Sequence, residues 1–318
     1  MKIVVDDTIL VQGQKCTCGA DALFSASAIM DAELVKRLKD AGHEVTALRL
    51  TEEFGLGQDS EGAELVAAGM YDAAIGIDCN GAGRIASAYS GAVCIKPTYG
   101  VISRYGTAPV ADSGETICIT AGNAVQCADL LTTMAGADER DEGSLPWPAY
   151  GFTAMGTAKG KKIAVAGKAG QFGQVMKALG AQVTELELPE FQYAQAAWQI
   201  LLCAECYGNL RRLPQPELLD FSTKCFLLYG ATLNAPEQAA LVDKARRVRR
   251  LLREKLDALF AEYDMLASGD VALPLLTGVP AIVSCGMQLL ANDLGENKLL
   301  GAAADIQEYL ARQYQGEA

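Results

Sequence analysis

The stretch from residue 73 to residue 106 constrains this chain more than any other. A short apolar run, Ala73 to Ile77, ends at Asp78 and opens into a loop of small residues containing Gly81 and Gly83. Val93-Cys94-Ile95 then leads into Lys96-Pro97-Thr98-Tyr99-Gly100. A strand that runs into a glycine-rich turn can present backbone N–H groups to a ligand or an oxyanion. The same wording also suits a buried strand and a tight bend whose glycines serve only steric needs.

The flanking pattern predicts an α/β sheet. Residues 2–11 read as a strand into a turn. Residues 31–41 read as a helix with Ala32, Leu34, Val35 and Leu38 on one face, stopped by Gly42. A strand over 44–50 and a short helix over 62–68 complete a β-α-β-α-β order. Further on, helices are expected over 123–135, 193–210, 239–260 and 299–314. The longest loop, 137–160, holds Pro146 and Pro148. A strand-helix-strand unit spans 161–188. Its Gly167, Gly170 and Gly173 do not spell G-x-G-x-x-G, so no nucleotide cofactor is expected.

On the 239–260 helix, Leu241, Ala245, Val248, Leu252, Leu256 and Leu259 recur at helical spacing. Lys244, Arg246, Arg247, Arg249, Arg250, Arg253 and Lys255 then fall on the opposite face. That face reads as solvated, with contact to RNA or a partner as the alternative.

At 318 residues the chain is long enough for one large domain over 1–318. A net charge of −12 argues against general affinity for nucleic acid, which needs basic surface. No apolar run is long enough to span a membrane, and the N-terminus turns acidic at once, so a cytoplasmic protein is expected. The ten cysteines are scattered and several sit in apolar runs, as buried reduced thiols do. Cys16/Cys18 and Cys203/Cys206 have spacings that metal or redox sites also use. The single histidine, His43, follows a helix-ending Ala-Gly and reads as a cap. With so little histidine, neither a His-based metal site nor Ser-His-Asp hydrolysis is expected.

The motifs resemble the amidase signature family, and within it the A-subunit branch of the glutamyl-/aspartyl-tRNA amidotransferases. The family core reads G-S-D-T-G-G-S-I-R, a spacer, then G-x-K-P-T-Y-G-x-x-S-R-x-G. Lys96-Pro97-Thr98-Tyr99-Gly100 and Ser103-Arg104-Tyr105-Gly106 match the second half. In the first half Asp78, Gly81 and Arg84 match, and the nucleophilic serine falls on Ala82. Asp7-Thr8-Ile9-Leu10-Val11, Gly13 and Thr17-Cys18-Gly19 follow the block that carries the basic lysine, whose position is Asp6. The cis-serine position falls on Gln58, or on Ser60 if the register shifts by two. Relative to the family, the loop near 57–62 is shortened and a segment near 267–275 is deleted.

The resemblance implies the family's fold, one large mixed sheet covered by helices on both faces. It also implies a Ser–cis-Ser–Lys triad, and here all three members are replaced. Alanine offers no nucleophile, aspartate cannot act as a neutral lysine does, and glutamine is no proton shuttle. Cys79, in the same loop, is the one candidate nucleophile left. No histidine or lysine adjoins it in sequence, and Asp78 beside it opposes ionisation. The expectation is a protein that has lost amide hydrolysis and binds a small amide or carboxylate through Asp78, Asn80, Gly81 and Arg84, or binds an amidotransferase-like subunit or a second copy. The alternative is an amidase or glutaminase subunit rearranged around Cys79.

Overall fold

The computed structural model describes residues 1–24, 26–146 and 151–316. Pro148, expected in the long loop, lies outside them. The first half contains β1 (Lys2–Asp6), α1 (Glu33–Asp40), β2 (Glu44–Leu48), α2 (Gly62–Ala67), β3 (Ala73–Asp78), α3 (Ala82–Ser90), β4 (Val93–Lys96), β5 (Thr116–Ala121) and α4 (Ala124–Met134). The second contains β6 (Lys162–Ala166), α5 (Gly170–Ala178), β7 (Gln182–Leu186), α6 (Ala194–Leu210), α7 (Phe221–Leu233), α8 (Ala239–Glu262), β8 (Met265–Ala267), α9 (Leu273–Thr277), β9 (Ala281–Ser284), β10 (Met287–Leu290) and α10 (Glu296–Gly316).

Ten strands form one sheet in the order β2-β1-β3-β5-β4-β9-β10-β8-β6-β7. The two ends are parallel, β1 pairing with β2 and β3, and β6 with β7 and β8. The middle is antiparallel from β3 through to β8. The expected mixed α/β sheet is therefore what forms. Alternation along β1 explains the two layers, since successive strand residues face opposite sides. Ile3 and Val5 join the large core with Leu34, Val35 and Leu38 of α1. Val4 points the other way and packs with Ala63 and Val66 of α2.

Three elements depart from expectation. The stretch after Asp78 is not a loop throughout: α3 begins at Ala82, bounded by Gly81 and Gly91, both in the left-handed region (φ +89° and +81°). Glycine adopts that conformation without strain, which sets both ends of this short helix. β5 (TICITA) is buried at all six positions, so it carries no alternating pattern to reveal a strand. α7 buries only Thr223 and Gly230, because it rests on α6 through its small residue: a Cβ at Gly230 would lie 2.1 Å from the Cys203 carbonyl oxygen.

The reading of α8 also needs correction. Ala245, Leu252, Leu256 and Leu259 are buried as expected, but Leu241 is 39% exposed, in the first turn of the helix. Arg249 and Arg253 are half-buried rather than on a solvated face. Arg253 donates to the Thr277 carbonyl (2.9 Å) and pairs with Asp293. No helix among the described residues is long and apolar enough to cross a membrane.

Candidate functional site

β4 runs parallel to β3 because each is antiparallel to β5 between them. The carboxyl ends of β1, β3 and β4 therefore lie at one edge of the sheet. They deliver Asp6, Asp78 and Lys96 there, each nearly or wholly buried. In open α/β sheets, ligands bind beyond this edge.

Asp78 and Arg84 are locked together. Arg84 Nε donates to Asp78 Oδ2 at 2.6 Å and Nη2 to Oδ1 at 3.3 Å. The remaining guanidinium edges reach Gln288 Oε1 (2.6 Å) and the Val271 carbonyl (2.9 Å). Asp78 also accepts the Gly81 N–H at 2.8 Å. Both side chains of the pair are shut off from solvent, and such a pair persists only if its remaining donors and acceptors are met. Gln288 closes the network by donating to the carbonyls of Ser268 and Asp270. Asn80 donates to the Leu56 carbonyl and accepts from Gln199 Nε2, both at 3.0 Å. A Cβ at Gly81 would lie 2.0 Å from Val271 Cγ1, so Val271 fills the space over the turn. Each of the four expected ligand contacts is thus already engaged within the chain. Val271, which meets Gly81 and Arg84, lies where a deletion relative to the family is expected, near 267–275.

The three positions expected from the resemblance to stand in for the triad are arranged differently from one another. Asp6 Oδ1 accepts the Thr8 N–H (3.0 Å) and Oδ2 the Thr51 hydroxyl (2.6 Å). Burial pushes its pKa up to about 6, against the pull of these two donors. Gln58 is exposed and lines a cleft of about 690 Å³ with Thr51, Ser60, Ile85 and Tyr89. Thr51 therefore links Asp6 to the cleft that Gln58 lines. Ala82 does not line it; it starts α3, whose later turns form one wall.

Cys79 is fully buried, with its thiol 3.7 Å from Glu115 Oε2. Burial raises its pKa well above the usual thiol value, and the Glu115 and Asp78 charges raise it further. The thiol is therefore protonated, the unreactive form. Glu115 is itself pushed up to about 7 by burial, although it accepts the Val110 and Ala111 N–H groups. Among the described residues Lys96 donates only to the adjacent Pro97 carbonyl (2.9 Å), and burial lowers its pKa to about 7.

Sequence reasoning missed Thr51, Trp198 and Val271. Trp198 donates its indole N–H to the Cys79 carbonyl (2.8 Å), from α6. Nothing local marks these residues, since their partners lie far along the chain. The second half of the motif is equally well tied. Thr98 N–H meets Glu296 (2.7 Å), Tyr99 N–H the Gly278 carbonyl (2.9 Å), and Ser103 donates to Asp138 (2.7 Å). Arg104 stacks on Tyr99 and pairs with Asp141 and Glu115.

The ten-stranded mixed sheet with helices packed on both of its faces defines an α/β protein. A match to the Amidase family spans residues 60–278. The A subunit of glutamyl-tRNA(Gln) amidotransferase from Natronomonas pharaonis is 32% identical, over 86% of this chain and 79% of its own length. That alignment runs to 333 residues, more than this whole chain, so the relative carries segments absent here. The solved A subunit of the Thermotoga maritima glutamyl-tRNA(Gln) amidotransferase superposes with a TM-score of 0.83 at 24% identity, covering 97% of this chain and 83% of that one. A protein from a vestigial complex, tied to the origins of an s-triazine catabolic enzyme, gives 0.84 at 21%, covering 97% and 84%. The chain belongs to the amidase signature family and is similar to the A subunits of the tRNA amidotransferases.

Proposed function

We propose that this chain is a catalytically silent amidase-signature protein that acts by binding. What supports the reading is that the resemblance puts Asp6, Gln58 (or Ser60, if the register shifts by two) and Ala82 at the positions of the family's lysine and two serines. α3 opens on the methyl group of Ala82. Asp6 is hydrogen-bonded to Thr8 and Thr51, and Cys79 is held protonated beside Glu115. Loss of one triad member removes orders of magnitude in rate, and here the lysine and nucleophile positions are both replaced in either register.

Since Asp78, Asn80, Gly81 and Arg84 are internally engaged, we assign binding of a small neutral amide to the cleft beside Gln58; its Glu52, Asp59, Glu61 and Glu64, against Arg49 alone, disfavour a carboxylate guest. A protein partner, an amidotransferase-like subunit or a second copy, fits the exposed apolar residues of α7: Phe221 is 82% exposed, Leu228 68% and Tyr229 65%. Such large apolar side chains on one surface mark interaction sites. The cytoplasm, where the related amidotransferase proteins would meet it, is the compartment of this reading.

Ammonia release from glutamine and a panel of primary amides tests it. The purified chain is expected to release none above background. Turnover that disappears in Cys79→Ala would overturn this reading in favour of an amidase or glutaminase rearranged around that thiol. The triple variant Asp6→Lys, Gln58→Ser, Ala82→Ser asks separately whether the remaining scaffold still admits an amide.

A further inference from the structure

Arg249, on the inner flank of α8, makes no hydrogen bond or ion pair among the described residues. Its Nε and Nη2 are buried without a partner. Buried guanidinium nitrogens left unpaired are costly even on a half-buried side chain, and native proteins rarely tolerate them without a reason. The neighbouring carboxylates do not relieve it. Glu205 accepts the Ser113 N–H (3.0 Å) and hydroxyl (2.5 Å). Asp293 gives Oδ2 to Arg253, and its Oδ1 is a second buried atom without a partner.

Arg249, Arg253 and Asp293 all line one cavity of about 270 Å³, with Thr98 and Leu276 among the other walls. It shares no lining residue with the Gln58 cleft. Nε and Nη2 form the edge of a guanidinium that grips both oxygens of a carboxylate. Neither that edge nor Asp293 Oδ1 is exposed to the cavity as the side chains stand, so binding requires both side chains to turn towards it; for Arg249 this breaks no existing hydrogen bond. The unpartnered Asp293 oxygen calls for a donor and would repel a dianion such as phosphate. The volume suits a small guest, of about ten heavy atoms at most, and is at the small end for ligand pockets.

We propose that this cavity binds a small organic acid that carries a hydroxyl or ammonium group beside its carboxylate, the carboxylate on Arg249 and the donor on Asp293. It is a second site, independent of the proposed loss of amide hydrolysis.

Ligand-observed NMR on the full chain, with glycolate, glycine, acetate and methylammonium as probes, tests it. Glycolate or glycine is expected to bind more tightly than acetate, and methylammonium not to bind. Arg249→Gln should fold normally and weaken glycolate or glycine about tenfold or more, the loss of a charge-assisted bidentate contact. Asp293→Asn should erase the preference over acetate. No binding of any carboxylate at about 10 mM, weaker than any useful site, would overturn the proposal. So would equal binding by Arg249→Gln, or a crystal structure with water alone in the cavity at saturating glycolate.

Discussion

Two loops leave the same edge of the sheet, one after β3 and one after β4, and their motif residues have fared differently. After β4, the matching residues Thr98, Tyr99, Ser103 and Arg104 each make a contact that fixes a distant segment. After β3, the matching residues are Asp78, Gly81 and Arg84, and they too are fixed, by one another and by Gln288 and Val271. At 82, where the resemblance would place the nucleophile, the chain holds alanine. Within this one turn, then, Arg84 ties distant segments together while the methyl group of Ala82 has nothing polar to offer.

The largest effect should come from breaking the Asp78–Arg84 pair. Arg84→Ala leaves an unpaired carboxylate in a dry site and should cost about 3–5 kcal/mol. Urea denaturation measures it; a loss below about 1 kcal/mol, the range of an exposed pair, would mean the loop is not held by this contact.

A smaller effect, of opposite sign, is expected at Asp6. Its folded pKa is raised from 3.8 to about 6, so the folded state binds the extra proton between those values. Stability from this group is present below pH 3.8 and is lost as pH rises through about 6. Asp6→Asn should therefore be more stable than the parent near neutral pH, by up to about 3 kcal/mol. The difference should shrink towards zero in acid. A variant uniformly less stable across pH 4 to pH 7.5 would show instead that the carboxylate is structurally required.

The smallest effect belongs to Ala82→Ser. One added oxygen at the first turn of α3 should change stability by less than about 1 kcal/mol. A large loss in thermal denaturation would mean that alanine is needed for packing, and the contrast between 82 and 84 would fail.

Much of this architecture was legible in the residues. The β-α-β-α-β start, the helix after Asn123 and the long α6 and α8 follow from periodicity and caps; Asn123 does accept the Gln126 N–H as an N-cap. β5 was not legible, because a strand buried on both faces has no period. α3 was hidden by its glycines and serines. Leu241 fits the helical period, but period alone cannot say where a neighbouring surface ends. The site was legible as a set of positions only. That Arg84 meets Gln288, or Asn80 meets Gln199, depends on contacts separated by more than a hundred residues, which no local pattern encodes.

The hydrogen bond from Trp198 to the Cys79 carbonyl has a practical consequence. Trp198 is one of two tryptophans in the chain, and it is completely buried against the β3–α3 turn. With Trp147 replaced by Phe, its fluorescence becomes an optical probe of that turn. A shift to longer emission wavelength would report loosening of the turn before the rest of the chain melts.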